Sequence, residues 1–302
     1  MMAETSDRIL PAIAMRLLSA ALFASMNAVI KLAEARGATL GEVLFFRQFG
    51  AAILLVVVIA AGPGLKSVAT RRLPAHIARA VLGLSAMACT FTAILMLPLA
   101  ESTTIGFSMP IFATILGALI LREPTGWHRW AAVAIGFTGV LIVAQPGSGH
   151  FPFWGAVAGL VAALLTASVS ILLRQISRTE GTMTTVFWFS TLSLIPLGIV
   201  YAFVMQPHFW LVWIMLLAVG VIGGAAQLAM TSALRLGPVS VVVPMDYSSL
   251  LWATAYGWLL FGVLPGKWTW IGAPVIILSG LYIVWREHVR RTQLTIETIA
   301  QI

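Results

Sequence analysis

Ten stretches of about twenty mostly apolar residues follow one another along the whole chain. They lie near residues 12–33, 41–62, 75–97, 101–121, 128–146, 153–174, 183–205, 211–234, 239–262 and 268–285. A helix of roughly 20 residues, at ~1.5 Å per residue, crosses the ~30 Å hydrocarbon core of a bilayer. Within 302 residues, ten such runs leave little for a separate water-exposed domain. Charged residues make up 9% of the chain and hydrophobic ones 60%, against roughly 25% and 45–50% in soluble globular chains. The bilayer is therefore the solvent, and the expected fold is all-α with ten transmembrane helices. The first run carries Asn27 and is too long for a signal-peptide core, so it reads as a retained span.

Between the runs stand helix breakers: Gly62-Pro63-Gly64, Glu123-Pro124-Thr125-Gly126, Gln145-Pro146-Gly147, Gln206-Pro207 and Leu264-Pro265-Gly266. Basic residues fall mainly on alternate connectors. Arg8, Lys66, Arg71, Arg72, Arg79, Arg122, Arg129, Arg174, Arg178, Arg235, Arg286, Arg290 and Arg291 share one side. The other side holds little beyond Arg36 and Lys267. Basic connectors stay cytoplasmic, which puts both termini inside an inner membrane. The formal charge of +8 is then a topology signal rather than a phosphate-binding face, and nucleic acid is not an expected partner.

The second half echoes the first. Gly139-Val-Leu-Ile-Val143 matches Gly280-Leu-Tyr-Ile-Val284, and Pro124-x-x-Trp127 matches Pro265-x-x-Trp268. Phe45-Phe46 aligns with Trp188-Phe189 in the register that also pairs Lys31 with Arg174. The expected units are residues 1–146 and 147–286, each with five spans, followed by a cytoplasmic tail at 287–302. Five is odd, so the copy enters the membrane from the opposite face. Inverted repeats put a solute site between the halves near mid-membrane, where rocking exposes it to each side in turn.

Charges at depth cost at least ~2.5–3.5 kcal/mol on insertion scales, so they face a cavity or a partner. Two candidates follow. Arg47 lies ~10 Å below the outer edge of span two, and Asp246 ~10 Å above the inner edge of span nine. Asn27 shares the level of Arg47, and Gln227 that of Asp246. Arg47 with Asn27 is expected to attract an anionic or carbonyl part of the solute. Asp246, with Gln227 and Tyr247, would bind the opposite part or accept a proton. Plainer readings stand beside these: Arg47 as an anchor to headgroups or Glu42, and Asp246 as a packing residue bonded to backbone. Pro110 and Pro244 occupy corresponding spans, four and nine, as hinges or static kinks. Trp252, with Tyr256 and Trp258, would stack on a flat solute, or simply pack and mark the interface.

Enzyme signatures are missing: there is no phosphate-cradling Gly-rich loop, no His-Glu-x-x-His and no Gly-x-Ser-x-Gly. The five histidines lie on different connectors and Cys89 is the only cysteine, so neither a metal site, a cofactor nor a disulfide is expected. The expected activity is secondary transport of a small organic metabolite, by a monomer or weak dimer, driven by a solute or proton gradient. Uniport of an organic anion or vitamin-like aromatic is the alternative. An intramembrane acyl-transfer enzyme and a lipid scramblase are readings of other classes.

Several stretches together resemble the drug/metabolite transporter superfamily, in its EamA branch of ten-helix carriers. They are Asn27-x-x-x-Lys31, Arg47, Pro110-Ile-Phe-Ala-Thr114, Leu121-Arg-Glu-Pro124 with Trp130, and Gly139-Val-Leu-Ile-Val143. The second half adds Ala233-Leu-Arg-Leu-Gly237, Pro244-Met-Asp-Tyr247, Leu250-Leu-Trp-Ala253 and Gly257-Trp-Leu-Leu-Phe-Gly262. The resemblance implies a central cavity lined by spans one, three, four, six, eight and nine, with uniport or proton coupling. It also implies substrates such as riboflavin, S-adenosylmethionine, organic anions, amino acids or metal-chelating metabolites. One departure is clear: the family's Glu-Pro at the end of span nine reads Leu264-Pro265 here. No role of that carboxylate transfers.

Overall fold

A computed structural model describes residues 9–62, 64–120, 126–144, 152–176, 179–236 and 242–300. Glu123-Pro124, Gln145-Pro146-Gly147, Arg8, Arg122 and Arg178 lie outside the described residues, as do the side chains of Arg174, Arg235, Arg290 and Arg291.

The described chain is helical from end to end, without strands. Spans one to three are Ile9–Glu34, Leu40–Ala61 and Leu73–Met96. Spans five to eight are Trp127–Ala144, Phe153–Ile176, Thr182–Val204 and Trp210–Leu236. Span ten opens the long helix Lys267–Ala300, whose apolar part ends at Arg286. Local chemistry marks the ends. Thr39 and Glu42 form a capping box at the start of span two, each side chain bonded to the other's backbone N–H. Gly262 (φ 65°) terminates span nine in the left-handed region that glycine adopts without strain.

Spans four and nine are not single α-helices. Span four breaks at Phe107-Ser108 into Leu99–Gly106 and Met109–Leu119. Pro110 has no N–H for the carbonyl four residues back, and its ring suits the first turn of a new helix. Span nine starts as a 3-10 segment, Val243–Ser248, with Pro244 in its first turn, and becomes α-helical over Ser249–Phe261. The α-helical part covers only ~20 Å, but 3-10 turns rise ~2 Å per residue and supply the missing ~10 Å. This is why, among the described residues, nine segments rather than ten have the length of a spanning helix. Both prolines thus begin helical pieces rather than bend continuous ones.

The contacts repeat with a shift of five. Span one packs on eight as six packs on three; span two packs on eight as seven packs on three; span one packs on nine as six packs on four. The pairs five–ten, two–seven and four–nine map onto themselves. Small residues allow the closest approaches. A Cβ on Gly50 would meet the Gly220 Cα at 2.6 Å, backbone against backbone. One on Gly159 would meet Ile105 at 2.8 Å. Exposed apolar side chains such as Leu251, Leu259, Ile195 and Leu278 cover the outside, where lipid replaces water. Trp154, Trp210 and Trp268 stand exposed at the starts of spans six, eight and ten, as an interfacial belt requires.

Candidate functional site

A cavity of about 290 Å³ lies between the halves, lined by spans one, three and four from the first and six and nine from the second. Small residues make the room: Ala20, Ala24, Ala93, Gly159, Ala162 and Ala163 all face it. Thr90 donates its hydroxyl proton to the Ala86 carbonyl (2.8 Å) and Thr103 to that of Leu99 (2.7 Å). Their oxygens remain as acceptors for N–H or O–H groups of a solute. Such a chamber, mostly apolar with a few polar groups, suits a small organic molecule.

The cavity's charge comes from two spans. Arg16, seven residues into span one, donates from Nε and Nη2 to both carboxylate oxygens of Asp246. The planar guanidinium matches a carboxylate in this forked arrangement, and each ion neutralises the other away from bulk water. The Ser249 hydroxyl donates to the Asp246 carbonyl at 2.6 Å, at the junction between the 3-10 and α segments. The broken start of span nine therefore carries the carboxylate on the cavity wall. Exposure is unequal: the Asp246 side chain is 38% accessible and that of Arg16 only 11%.

At the other end of the spans the elements are tied together. Lys31 donates to the carbonyls of Leu97 and Ile94 where span three ends. Glu101 accepts from the Gly266 N–H (3.1 Å) and the Thr269 hydroxyl (3.4 Å), joining spans four and ten. Glu42, fully buried, accepts from the Gln206 N–H and lies 2.9 Å from His208 Nε2. The hydroxyls of Ser25 and Tyr256 meet at 2.7 Å.

Of the residues singled out from sequence, Asn27 and Asp246 line the cavity. Arg47 and Gln227 do not; they share a second cavity of about 10 Å³ with Phe189 and Ser190. No described residue of span eight lines the central cavity, so the implied set of six spans is corrected to five. Tyr247 packs edge-on against Phe107, a lining residue, and its hydroxyl meets Gly280 of span ten. Trp252 is 42% exposed and stacks loosely on Tyr256 (6.5 Å), away from the lining. Equal depth thus failed to bring Asn27 to Arg47, or Gln227 to Asp246. Sequence reasoning missed Arg16, which the expected span 12–33 puts only ~6 Å from its edge; the helix in fact begins at Ile9, so Arg16 lies ~10 Å in, level with Asp246.

The model of the EamA-like transporter family matches residues 10–145 and again 153–286. The chain belongs to this family. It is 28% identical to a riboflavin transporter of Vibrio cholerae over 269 residues, covering 88% of this chain and 90% of that one. It is 26% identical to the pseudopaline exporter CntI of Pseudomonas aeruginosa over 275 residues (90% and 95%). It is 25% identical to an S-adenosylmethionine uptake transporter of Rickettsia prowazekii over 254 residues (82% and 83%). A solved crystal structure superposes with a TM-score of 0.59 at 18% identity, covering 95% of this chain and 99% of that one; it speaks to the fold alone. This EamA-family protein is a multi-pass membrane transporter built of two repeats, and not an enzyme.

Proposed function

We propose that this EamA-family protein is a secondary carrier of the cytoplasmic membrane that moves a small organic metabolite by alternating access, with both termini in the cytoplasm. The halves 1–146 and 147–286 form an inverted pair that rocks about the central cavity, and residues 287–302 form a cytoplasmic tail. The reading is carried by one observation: the Arg16–Asp246 pair joins spans of opposite halves on the wall of the cavity. An ion pair in that position offers a solute charge a partner while coupling its arrival to the contact between halves. The ties through Lys31, Glu42 and Glu101 then close the outer face. Relatives named for riboflavin, pseudopaline and S-adenosylmethionine support a small metabolite as the cargo.

The greater accessibility of the carboxylate favours a solute with a cationic group, or a proton, over an organic anion. Asp246 is the group reached first, and Arg16 the one released. In proteoliposomes, Asp246→Asn is expected to abolish pH-driven accumulation while counterflow of labelled solute survives. Loss of both, or of neither, would remove the proton from the mechanism. Uniport of an organic anion is the second reading, and Arg16→Gln tests it: carriage of an anion would fail in that variant even without a pH gradient.

A further inference from the structure

The lining of the central cavity is one-sided in what it can offer a solute. Asp246 exposes its carboxylate, while Arg16 gives Nε and Nη2 to that carboxylate and has Nη1 buried without a partner. The guanidinium has little left to give, so the charged face of the chamber is negative. The hydroxyls add to this. Thr90, Thr103 and Ser249 spend their protons on the carbonyls of Ala86, Leu99 and Asp246, which leaves lone pairs for a guest. A wall made mainly of acceptors suits a molecule that brings the donors. The other charges held in the membrane, Arg47 and Arg79, lie close enough to repel each other but do not line this chamber.

The acceptors form two ends. Asp246 and Ser249 stand at one. Asn27, Thr90 and Thr103 stand at the other, ~6–10 Å from the helix ends at Glu34, Met96 and Leu99. Thr103 is one helical turn, ~6 Å, from Phe107, and Phe107 packs on Tyr247, the neighbour of Asp246. The two ends are thus one small molecule apart. Phe23, Ile94 and Phe107 add apolar wall. At ~30 Å³ per water-sized group, about 290 Å³ holds roughly ten such groups.

We propose that Thr90 and Thr103 form a second subsite, and that the cargo is a protonated organic amine of this size, its ammonium on Asp246 and a further hydrogen-bond donor at its far end on the two threonines. The assignment rests on the carrier reading above. Tyramine has this shape, phenethylamine lacks the far hydroxyl, and 4-hydroxyphenylacetate keeps that hydroxyl but carries a negative charge. Purified full-length protein would be titrated with each and followed by thermal unfolding. Tyramine is expected to raise Tm saturably by a few degrees, phenethylamine to need about tenfold more, and 4-hydroxyphenylacetate to have no effect. Thr103→Val, alone or with Thr90→Val, should erase the advantage of tyramine and leave the response to phenethylamine unchanged, which a merely structural role would not do. The comparison of the three compounds on the parent protein stands even if the variants do not fold. Equal responses to tyramine and phenethylamine overturn the subsite and leave the cation preference intact. A response to 4-hydroxyphenylacetate alone overturns the cation preference as well. No response to any of the three overturns the proposal without touching carriage of another solute.

Discussion

The Arg16–Asp246 pair and the Arg47–Arg79 pair are both charge held inside the membrane, and they are resolved in opposite ways. The first carries its own counter-ion and borders a cavity of about 290 Å³. The second has no described counter-ion and borders one of about 10 Å³. A compensated pair tolerates a roomy neighbourhood, because each ion can exchange its partner for a group on a solute. The difference separates a pair that borders the large central cavity from one shut away behind apolar side chains.

The repeat sharpens the contrast. The register that pairs Phe45 with Trp188 puts Gly159 opposite Arg16, and the alignment of Pro110 with Pro244 puts Phe112 opposite Asp246. The junction of spans six and four thus has a glycine and a phenylalanine where that of spans one and nine has an ion pair. The scaffold is symmetric; the chemistry is on one side.

The largest effect is expected from Asp246→Ala, which leaves Arg16 buried and unpaired. Stability should fall toward the low end of about 3–5 kcal/mol, because the carboxylate is 38% exposed and partly screened. Combining Arg16→Met with Asp246→Leu should recover most of that stability in a thermal melt while transport stays absent. Recovery of both would make the pair structural and dissolve the comparison. Gly159→Ala is next, at about 1–3 kcal/mol, since a Cβ meets Ile105 at 2.8 Å. It also narrows the cavity, so solute affinity should drop more than stability does. Arg47→Met should lie within about 1 kcal/mol of the parent, because it removes a buried charge together with its desolvation cost. A loss as large as that of Asp246→Ala would show Arg47 to be paired after all. Trp252→Ala, on the lipid-facing side of span nine, should change stability by less than ~0.5 kcal/mol and leave solute binding intact. A clear loss of binding would return Trp252 to the site.

The ten crossings and the repeat were legible in the sequence because hydrocarbon thickness sets span length directly. Depth was legible too, at a fixed rise per residue. What a linear count does not contain is the direction a helix turns its side chains. Asn27 and Arg47 share a level but face different cavities, because span one packs against eight and nine while span two packs against seven and eight. The prolines marked where spans four and nine depart from α-helix. Whether each bends a helix or begins one depends on the turn before it: Phe107-Ser108 in one case, a 3-10 segment in the other. Arg16 escaped notice because it lies near a span edge, where a basic residue ordinarily reads as a topology signal. Its partner 230 positions away had no local mark.

The most direct measurement is the accessibility of a single cysteine in the cavity. Thr166 lines it, a little past the middle of span six counted from Phe153. Cys89→Ser removes the one native thiol, and Thr166→Cys adds the probe. A membrane-impermeant thiol reagent should label inside-out vesicles, fail on right-side-out ones, and be blocked by transported solute. Labelling confined to the outer face, or unaffected by solute, would contradict a carrier chamber closed outward beneath Lys31 and Glu101.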